Sequence, residues 1–493
     1  MFNFLKNKGK EKESAKDVFS KSHDFKTYEF ENEKTKLSFC LTFLTTLVEE
    51  KTIRECALPY LLEKDFHQLE DARKLLPLPD VQLSTDASII EEKLITGNVL
   101  LTIPGEAQKF CYFSAIKDTA RSITLPEVEF SVIGPKEAFV ESLDQNLSLL
   151  RKRIPVKELI IEEQTIGTLS KTRVAILYLE GITNVENVDT VRQRIKGIEF
   201  DEITDSSYIV QMICDNQNSP FPQLLDTERP DRVAAILAEG KVAVMVNGSP
   251  HALIAPTTLV EFFSSFEDYY LNWILSSFFR LIRLFAVAFS ILVTPIYVAT
   301  LSYHYELIPQ DLLSALVASR RAIPFPPILE ALFLELTIEL LREAGARLPT
   351  KVGQTIGIVG GIVIGTASVE AGLTSNVLLI FVALAALASF TTPVYKMGNT
   401  IRLLRFPFLV FAELWGLLGI LLCFCFLLTH LIRLTSLGRP FLEPIYPLRK
   451  QDFKDSLIRL PFNKQRKRPF FLRTQESDRF PEKAAKEKKD IED

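Results

Sequence analysis

Glu335, Glu339 and Glu343 recur at i, i+4 and so share one face of a helix, in a stretch of chain where charges are scarce. Acids inside a membrane are functional candidates by default. Glu335 and Glu339 are therefore the candidate functional acids. The plain alternative is an amphipathic, interfacial helix whose acidic face is solvated, with Glu343 and Arg347 paired at i, i+4. A second pattern follows: Gly353, Gly357, Gly361 and Gly365 recur every four residues, a small-xxx-small ridge against which another helix can pack closely. On another face Thr355, Val359, Ile362, Thr366 and Glu370 advance by three or four, polar at both ends and apolar in the middle. Such a stripe can line a narrow pore gated by dewetting, and a ring of Glu370 at one mouth would favour cations. Packing within one subunit and a water-facing Glu370 at a loop end are the simpler alternatives.

Enzymatic constellations are missing. The sequence has no GxxxxGK[ST] phosphate loop, no GxGxxG turn, no HExxH helix and no GxSxG elbow. Its five histidines are scattered and its six cysteines form no CxxC pair, so neither a metal centre nor a disulfide scaffold is expected. The sequence thus predicts a protein that is not an enzyme, with no catalytic residue, no cofactor and no metal.

The elements that must position these residues follow from how charge is distributed along the 493 residues. Lys plus Arg (57) and Asp plus Glu (61) nearly cancel to a net −4, and mean hydropathy is +0.15. Residues 284–432 hold only sixteen charges, eight of each sign. Four runs there lack Asp, Glu, Lys and Arg altogether: 284–301, 352–369, 371–395 and 414–432. About 20 apolar residues span a bilayer core, so these predict about four spans. The acid-bearing helix near 328–341 is expected to be re-entrant or interfacial. No apolar run follows Lys6, Lys8 and Lys10, so no secretory signal is expected. Arg280 and Arg283 precede the first run, and eight basic residues lie between Arg449 and Arg468; positive-inside logic puts both ends in the cytoplasm. Four spans have a cost: they leave Arg342, Arg347, Lys351, Lys396, Arg402 and Arg405 outside.

The part before the apolar block repeats itself. Residues 97–105 and 240–248 align without a gap, each a glycine, a β-rich run and a turn glycine, each preceded by a helical pattern and followed by a second apolar run. That unit is helix, strand, tight turn, strand. Residues 158–162 and 173–180 read as strands and 185–195 as a helix. The expected fold is an α/β cytoplasmic region of two related subdomains followed by an all-α multi-pass transmembrane domain. Its expected divisions are a flexible N-terminus at 1–30, α/β subdomains at 31–140 and 141–270, a membrane domain at 271–435, and a basic, largely disordered cytoplasmic tail at 436–493. The tail's cations suit anionic lipid, and no nucleic-acid role is expected.

Several landmarks occur in order: Ser219-Pro220-Phe221-Pro222-Gln223, Thr227-Glu228-Arg229-Pro230-Asp231, Asp268-Tyr269-Tyr270, Pro324-Phe325-Pro326-Pro327, the acid-bearing run 335–345, the glycine run 353–361, and Arg402-Leu403-Leu404-Arg405-Phe406-Pro407. On these the chain resembles the A subunits of GerA-type germinant receptors of bacterial endospores. The resemblance implies a multi-pass protein of the spore inner membrane that works with a transporter-like B subunit and a lipoprotein C subunit. It also implies a ring-shaped homo-oligomer, a pentamer, that conducts monovalent cations when nutrient is sensed and so starts germination. Ile133-Gly134-Pro135, where the family usually reads Arg-Gly-Pro, leaves open an accessory SpoVAF-like channel that amplifies ion release. A non-conducting membrane scaffold and a transporter-like ligand receptor also stay open.

Overall fold

The computed structural model describes residues 19, 21–78, 80–105, 109–117, 126, 129, 131–349, 360–361 and 365–480. Two five-stranded antiparallel sheets come first. One contains β1 (Phe25–Glu31), β2 (Ser38–Leu44), β3 (Gln82–Ser84), β4 (Asn98–Thr102) and β5 (Phe110–Ser114), in the order β1-β2-β4-β5-β3. The other contains β6 (Leu159–Ile166), β7 (Thr172–Leu179), β8 (Leu225–Thr227), β9 (Val242–Val246) and β10 (Ala252–Ala255), in the order β6-β7-β9-β10-β8. The strand orders are identical. The two glycine-bracketed runs occupy the same place in each sheet: β4 pairs with β2 (Thr42 opposite Leu100) and β9 with β7 (Ile176 opposite Val244). Gly97, Gly105, Gly240 and Gly248 all have positive φ, between 86° and 105°, a conformation that glycine adopts without a Cβ penalty.

Both sheets are covered on both faces, and the period-2 alternation of strands decides which residue goes where. Along β4, Val99 and Leu101 join one apolar cluster while Leu100 joins another. Along β9, Ala243 and Met245 pack on one side and Val242, Val244 and Val246 on the other. Short helical segments between residues 50 and 75 cover one face of the first sheet and helix α1 (Ala87–Ile95) the other, while α2 (Leu143–Arg153), α3 (Val185–Lys196), α4 (Ser206–Ile213) and α5 (Pro230–Glu239) cover the second sheet. Helix α5 starts with Pro230 in its first turn and ends on left-handed Gly240, the expected start and stop signals. The two units are joined by a buried ion pair: Arg151 of α2 donates to Asp24 from Nε (3.0 Å) and Nη2 (2.8 Å), and Ser22 and Thr46 donate to the same carboxylate. Burial opposes ionisation of Asp24, yet the Arg151 guanidinium prevails and holds its carboxyl below the usual range.

Two expectations about the chain ends change. Strand β1 begins at Phe25 and Phe19 is fully buried, so structure starts inside the segment expected to be flexible. Residues 436–480 of the tail are ordered as well. A hairpin of β11 (Thr435–Ser436) and β12 (Arg439–Pro440) is followed by buried Phe441, Leu442, Phe471 and Leu472, and Gln475 N–H donates to Ile182 O at 3.0 Å. The high density of basic residues concealed these apolar anchors.

The helical part is built on α6 (Trp273–Tyr303), α7 (Gln310–Arg320), α8 (Pro327–Arg347), α9 (Asn376–Ser389) and α10 (Tyr395–Arg433). Helix α10 is two antiparallel limbs, 395–414 and 417–433. Trp415 and Gly416 leave helical geometry (Gly416 φ 60°, ψ −138°). Phe411 and Phe426 have ring centroids 6.2 Å apart, whereas fifteen residues of straight helix would separate them by about 22 Å. Both free ends return to one place: Thr400 donates to Pro220 O (2.6 Å), and His430 Nε2 lies 2.8 Å from Ser219 Oγ. The first limb contains Lys396, Arg402, Arg405 and Glu413, which is why the charge-free runs do not include it. The run 371–395 contracts to the 14 residues of α9.

In a chain with Cys423 and Cys425 replaced by Ser, the pair Phe411→Cys/Phe426→Cys should join within one chain through a short bis-maleimide, read as a mobility shift after denaturation. A continuous α10 would give no intramolecular product.

Candidate functional site

Helix α6 runs from the α/β region to the far end of the helical layer and orders its neighbours along its length. Near its start Arg280 Nε donates to Asp268 (3.1 Å), and Arg283 also pairs with Asp268. At its middle lie Ser290 and Thr294. Farther on, Tyr297 OH is 3.1 Å from Ser375 Oγ, and at its end Tyr303 OH donates to Glu413 O (2.6 Å). A Cβ on Gly416 would lie 2.9 Å from His304 Nε2, so the turn of α10 sits at that far end.

The acids of α8 point into this layer. Pro327 occupies the first turn of α8, and Glu330, Ala331, Leu334 and Glu335 form its buried face. Glu335 accepts from Thr294 Oγ1 at 3.0 Å and pairs with Arg405, whose Nη2 donates to Ser290 Oγ (2.8 Å) and Ala385 O (3.4 Å). Both members of the pair are 2% exposed. One ion pair thus collects α6, α8, α9 and the first limb of α10. Glu339 pairs with Arg342 and lies 3.8 Å from Arg402 Nε. Glu330 accepts from Arg320 (2.8 Å) and from the Ser375 N–H (3.2 Å). Helix α8 is therefore packed within the layer: Glu335 and Glu339, like Glu330, each face an arginine, while Glu343 stays exposed and pairs with Arg347 at i, i+4. Arg405, Arg402 and Arg320 were missed in the sequence because their partners lie 10 to 70 residues away; the equal count of positive and negative charges in 284–432 was the available signal.

The glycine ridge and pore stripe are described only in part. Gly353, Thr355, Gly357, Val359 and Ile362 lie outside the described residues. Gly361 is exposed, with nothing within 4 Å of where a Cβ would sit, and Gly365 meets Leu379 at an ordinary 3.7 Å. The tight approach occurs at Gly360, where a Cβ would come 2.5 Å from Leu341 Cδ2. Thr366 and Glu370 are exposed on a short helix (Gly365–Glu370). Gly372 follows with φ +69°, its Cβ position 3.0 Å from Ala322 O. The structure brings Glu335 and Glu339 together with arginines; it does not join them to Glu370. Among the described residues no cluster of three or more metal-ligating side chains occurs.

At the foot of α6 a second polar cluster ties the tail to the helix. Arg280 reaches Asp455 (3.2 Å), Tyr269 OH donates to Asp455 (2.7 Å), and Arg459 donates to the carbonyls of Asp268 and Leu271 (both 2.7 Å). Burial pushes the Tyr269 hydroxyl well above its ordinary range and lifts the Asp455 carboxyl, although Arg280 pulls the latter down.

The family model described as Bacillus/Clostridium GerA spore germination protein matches residues 13–471. Spore germination protein GerQA of Bacillus cereus is 50% identical over 472 residues, covering 96% of this chain and 94% of the relative. Spore germination protein A1 of Bacillus subtilis (strain 168) is 40% identical, covering 87% and 89%. The crystal structure of the N-terminal domain of the A subunit of the Bacillus megaterium spore germinant receptor GerK3 aligns with 49% of this chain and 91% of that domain, at 29% identity and a TM-score of 0.37.

Removing one member of a buried ion pair strands the other and costs about 3–5 kcal/mol, whereas replacing both by apolar residues is often close to neutral. Glu335→Leu and Arg405→Leu should each lower the thermal midpoint of the detergent-purified protein strongly. The double variant should recover most of the loss; strictly additive losses would show that the two side chains do not interact.

Proposed function

The chain belongs to the Bacillus/Clostridium GerA spore germination protein family, and on that premise we propose that it is the membrane-embedded A-type subunit of a nutrient germinant receptor, forming a homo-oligomeric cation channel whose opening releases ions and triggers germination. The spore inner membrane is its proposed site, with the α/β region and the tail on the cytoplasmic side and B-type and C-type subunits as its partners. A pentameric ring is the proposed assembly.

The observation that carries the membrane reading is the sidedness of the helix ends. Helix α6 leads away from the α/β region. Helix α8 leads back, because Glu330 lies level with Ser375 and Tyr297 while Glu339 lies level with Arg402. Helix α9 also leads back, from Ser375 toward Ser389, which sits beside Gly398. The limbs of α10 go out and return. Helix α8 ends on the α/β side and Gly372 packs at the opposite side, with the charge-free run 352–369 between them in sequence. We propose six crossings: five run through the described helices and the sixth is the expected span at 352–369, most of which lies outside the described residues; this even number would keep both chain ends on one side. Six also removes the charge conflict of four spans: Arg342, Arg347, Lys396 and Arg402 all fall on the cytoplasmic side, as the positive-inside rule asks. Only 39% of the apolar window of α6 and 33% of that of α10 is buried. Phe285, Leu340, Leu387, Leu418 and Phe426 are exposed, a surface suited to lipid and unusual against water.

Conduction is supported by the family, by the exposed Thr366 and Glu370 at one end of the proposed pore stripe, and by the exposed Gly361, which leaves room for a neighbouring subunit. Purified protein reconstituted in liposomes should carry potassium or its thallium surrogate. Gly357→Leu or Gly361→Leu should abolish assembly or flux, while Val359→Ser or Ile362→Ser should leave assembly intact and raise basal leak by wetting the constriction. Absence of flux from an assembled oligomer, or identical behaviour of all four variants, would favour the non-conducting scaffold.

A further inference from the structure

Before the charge-free run 284–301 begins, the first turns of α6 carry an apolar face that no described residue covers. Ile274, Phe278, Leu281 and Ile282 are between 42% and 59% exposed, and at 100° per residue all four share one side of the helix. The opposite side holds Ser276, Ser277 and Arg280, all buried. Lipid does not account for the exposed side. On the membrane reading above, hydrocarbon begins near Leu284. Ile274 lies ten residues earlier, about 15 Å along the helix axis, whereas the headgroup layer on one side of a bilayer is only about 5–8 Å thick. An uncharged apolar face that far from hydrocarbon marks a contact with protein.

The tail supplies a second apolar patch at the same height. Ser277 Oγ donates to Arg459 O at 3.0 Å, and Arg280 reaches Asp455 at 3.2 Å, so the tail lies against the buried side of α6, away from the exposed one. Ile458 and Phe462, on either side of Arg459 in sequence, are themselves exposed. The Arg459 guanidinium lies 4.6 Å from the centre of the Phe462 ring, and the same side chain donates to Asp268 O and Leu271 O, both at 2.7 Å. The patch is thus fixed to the foot of the helix.

We propose that the foot of α6 is where one copy of this chain meets the next: Ile274, Phe278, Leu281 and Ile282 of one copy dock on Ile458 and Phe462 of its neighbour. Head-to-tail contacts that close into a ring need two different patches on each subunit, and this chain carries both at one height on opposite sides of one helix. A partner of another kind would cover one patch and leave the other bare. The inference rests on the homo-oligomer reading above and adds the contact itself, on the α/β side of the membrane and apart from the proposed pore stripe. Because the docked tail also grips Arg280 of its own chain, the contact links the α6 helices of successive copies.

The test uses the full-length protein in detergent. With p-benzoylphenylalanine in place of Ile274, irradiation should join two copies of the chain, and the attached peptide of the neighbour should fall within 445–465. Ile274→Glu/Phe278→Glu and Ile458→Ser/Phe462→Ser, all at exposed side chains, should each weaken self-association at least tenfold by sedimentation equilibrium and leave the circular-dichroism spectrum unchanged. Mixed in equal amounts, the two variants should form dimers, because each keeps the face that the other lacks. Adducts that map outside the tail, an oligomer of unchanged mass in both variants, or no dimer on mixing would overturn this interface and leave an oligomeric channel standing. An unsubstituted chain that is monomeric in nanodiscs as well as in detergent would remove the oligomer reading itself, and this contact with it.

Discussion

Arg405 against Glu335 is the contact on which the helical layer depends. On the proposed reading that this layer sits in lipid, apolar side chains gain little by leaving tails for one another, so register between helices is set by close packing and by polar contacts. The pair has a partner or a hydrogen bond on α6, α8, α9 and the first limb of α10, and each of those elements reaches it at a residue that must face inward: Ser290 and Thr294, Glu335, Ala385, Arg405. Turning any one of these helices by a residue would carry its contribution out of the centre and strand a charge. The flanking pairs, Glu330 with Arg320 and Glu339 with Arg342 and Arg402, repeat the device above and below. An acidic helix that looks unsuited to the interior of the layer is thereby made its organiser.

The α/β region is fastened to this layer at two points. Met397, Ile401 and Leu431, at the free ends of the α10 limbs, belong to the same apolar cluster as the inner face of the second sheet. The foot of α6 is gripped by Asp268, which holds both Arg280 and Arg283, and by Asp455 from the tail. A shift of the second α/β unit therefore reaches α6 and α10 directly, through packed side chains and charged contacts with no flexible connection between them. The buried Arg151–Asp24 pair extends the same rigid path to the first unit.

Features fixed by local backbone needs were readable in the sequence. Gly97, Gly105, Gly240 and Gly248 mark places where the chain takes positive φ, and their spacing alone exposed the repeated hairpin. Pairing across the chain was not readable in the same way. Arg405 lies in a run that a charge filter discards, and only Glu335, 70 residues earlier, explains its presence. The reversal at Trp415–Gly416 was hidden because an apolar run looks the same whether it continues or folds back. The tail misled for a related reason: its lysines and arginines outnumber its anchors, yet burial of Phe441, Leu442, Phe471 and Leu472 is what orders it.

The two-residue reversal at Trp415 and Gly416 also shapes what the far face can offer. A turn that tight leaves no loop standing above the helical layer, and its glycine is already pressed against Tyr303 and His304. By contrast α7 has no buried residue, and Tyr305, Leu307, Leu312 and Val317 around it are exposed. Among the described residues, antibodies, proteases and partner proteins that approach from that side meet chiefly the segment 304–326, with the turn at Gly372 packed against Ala322 beside it. Recognition on that face thus falls largely to a stretch of about twenty residues, whose exposed positions can diverge so long as Arg320 keeps its pair with the buried Glu330.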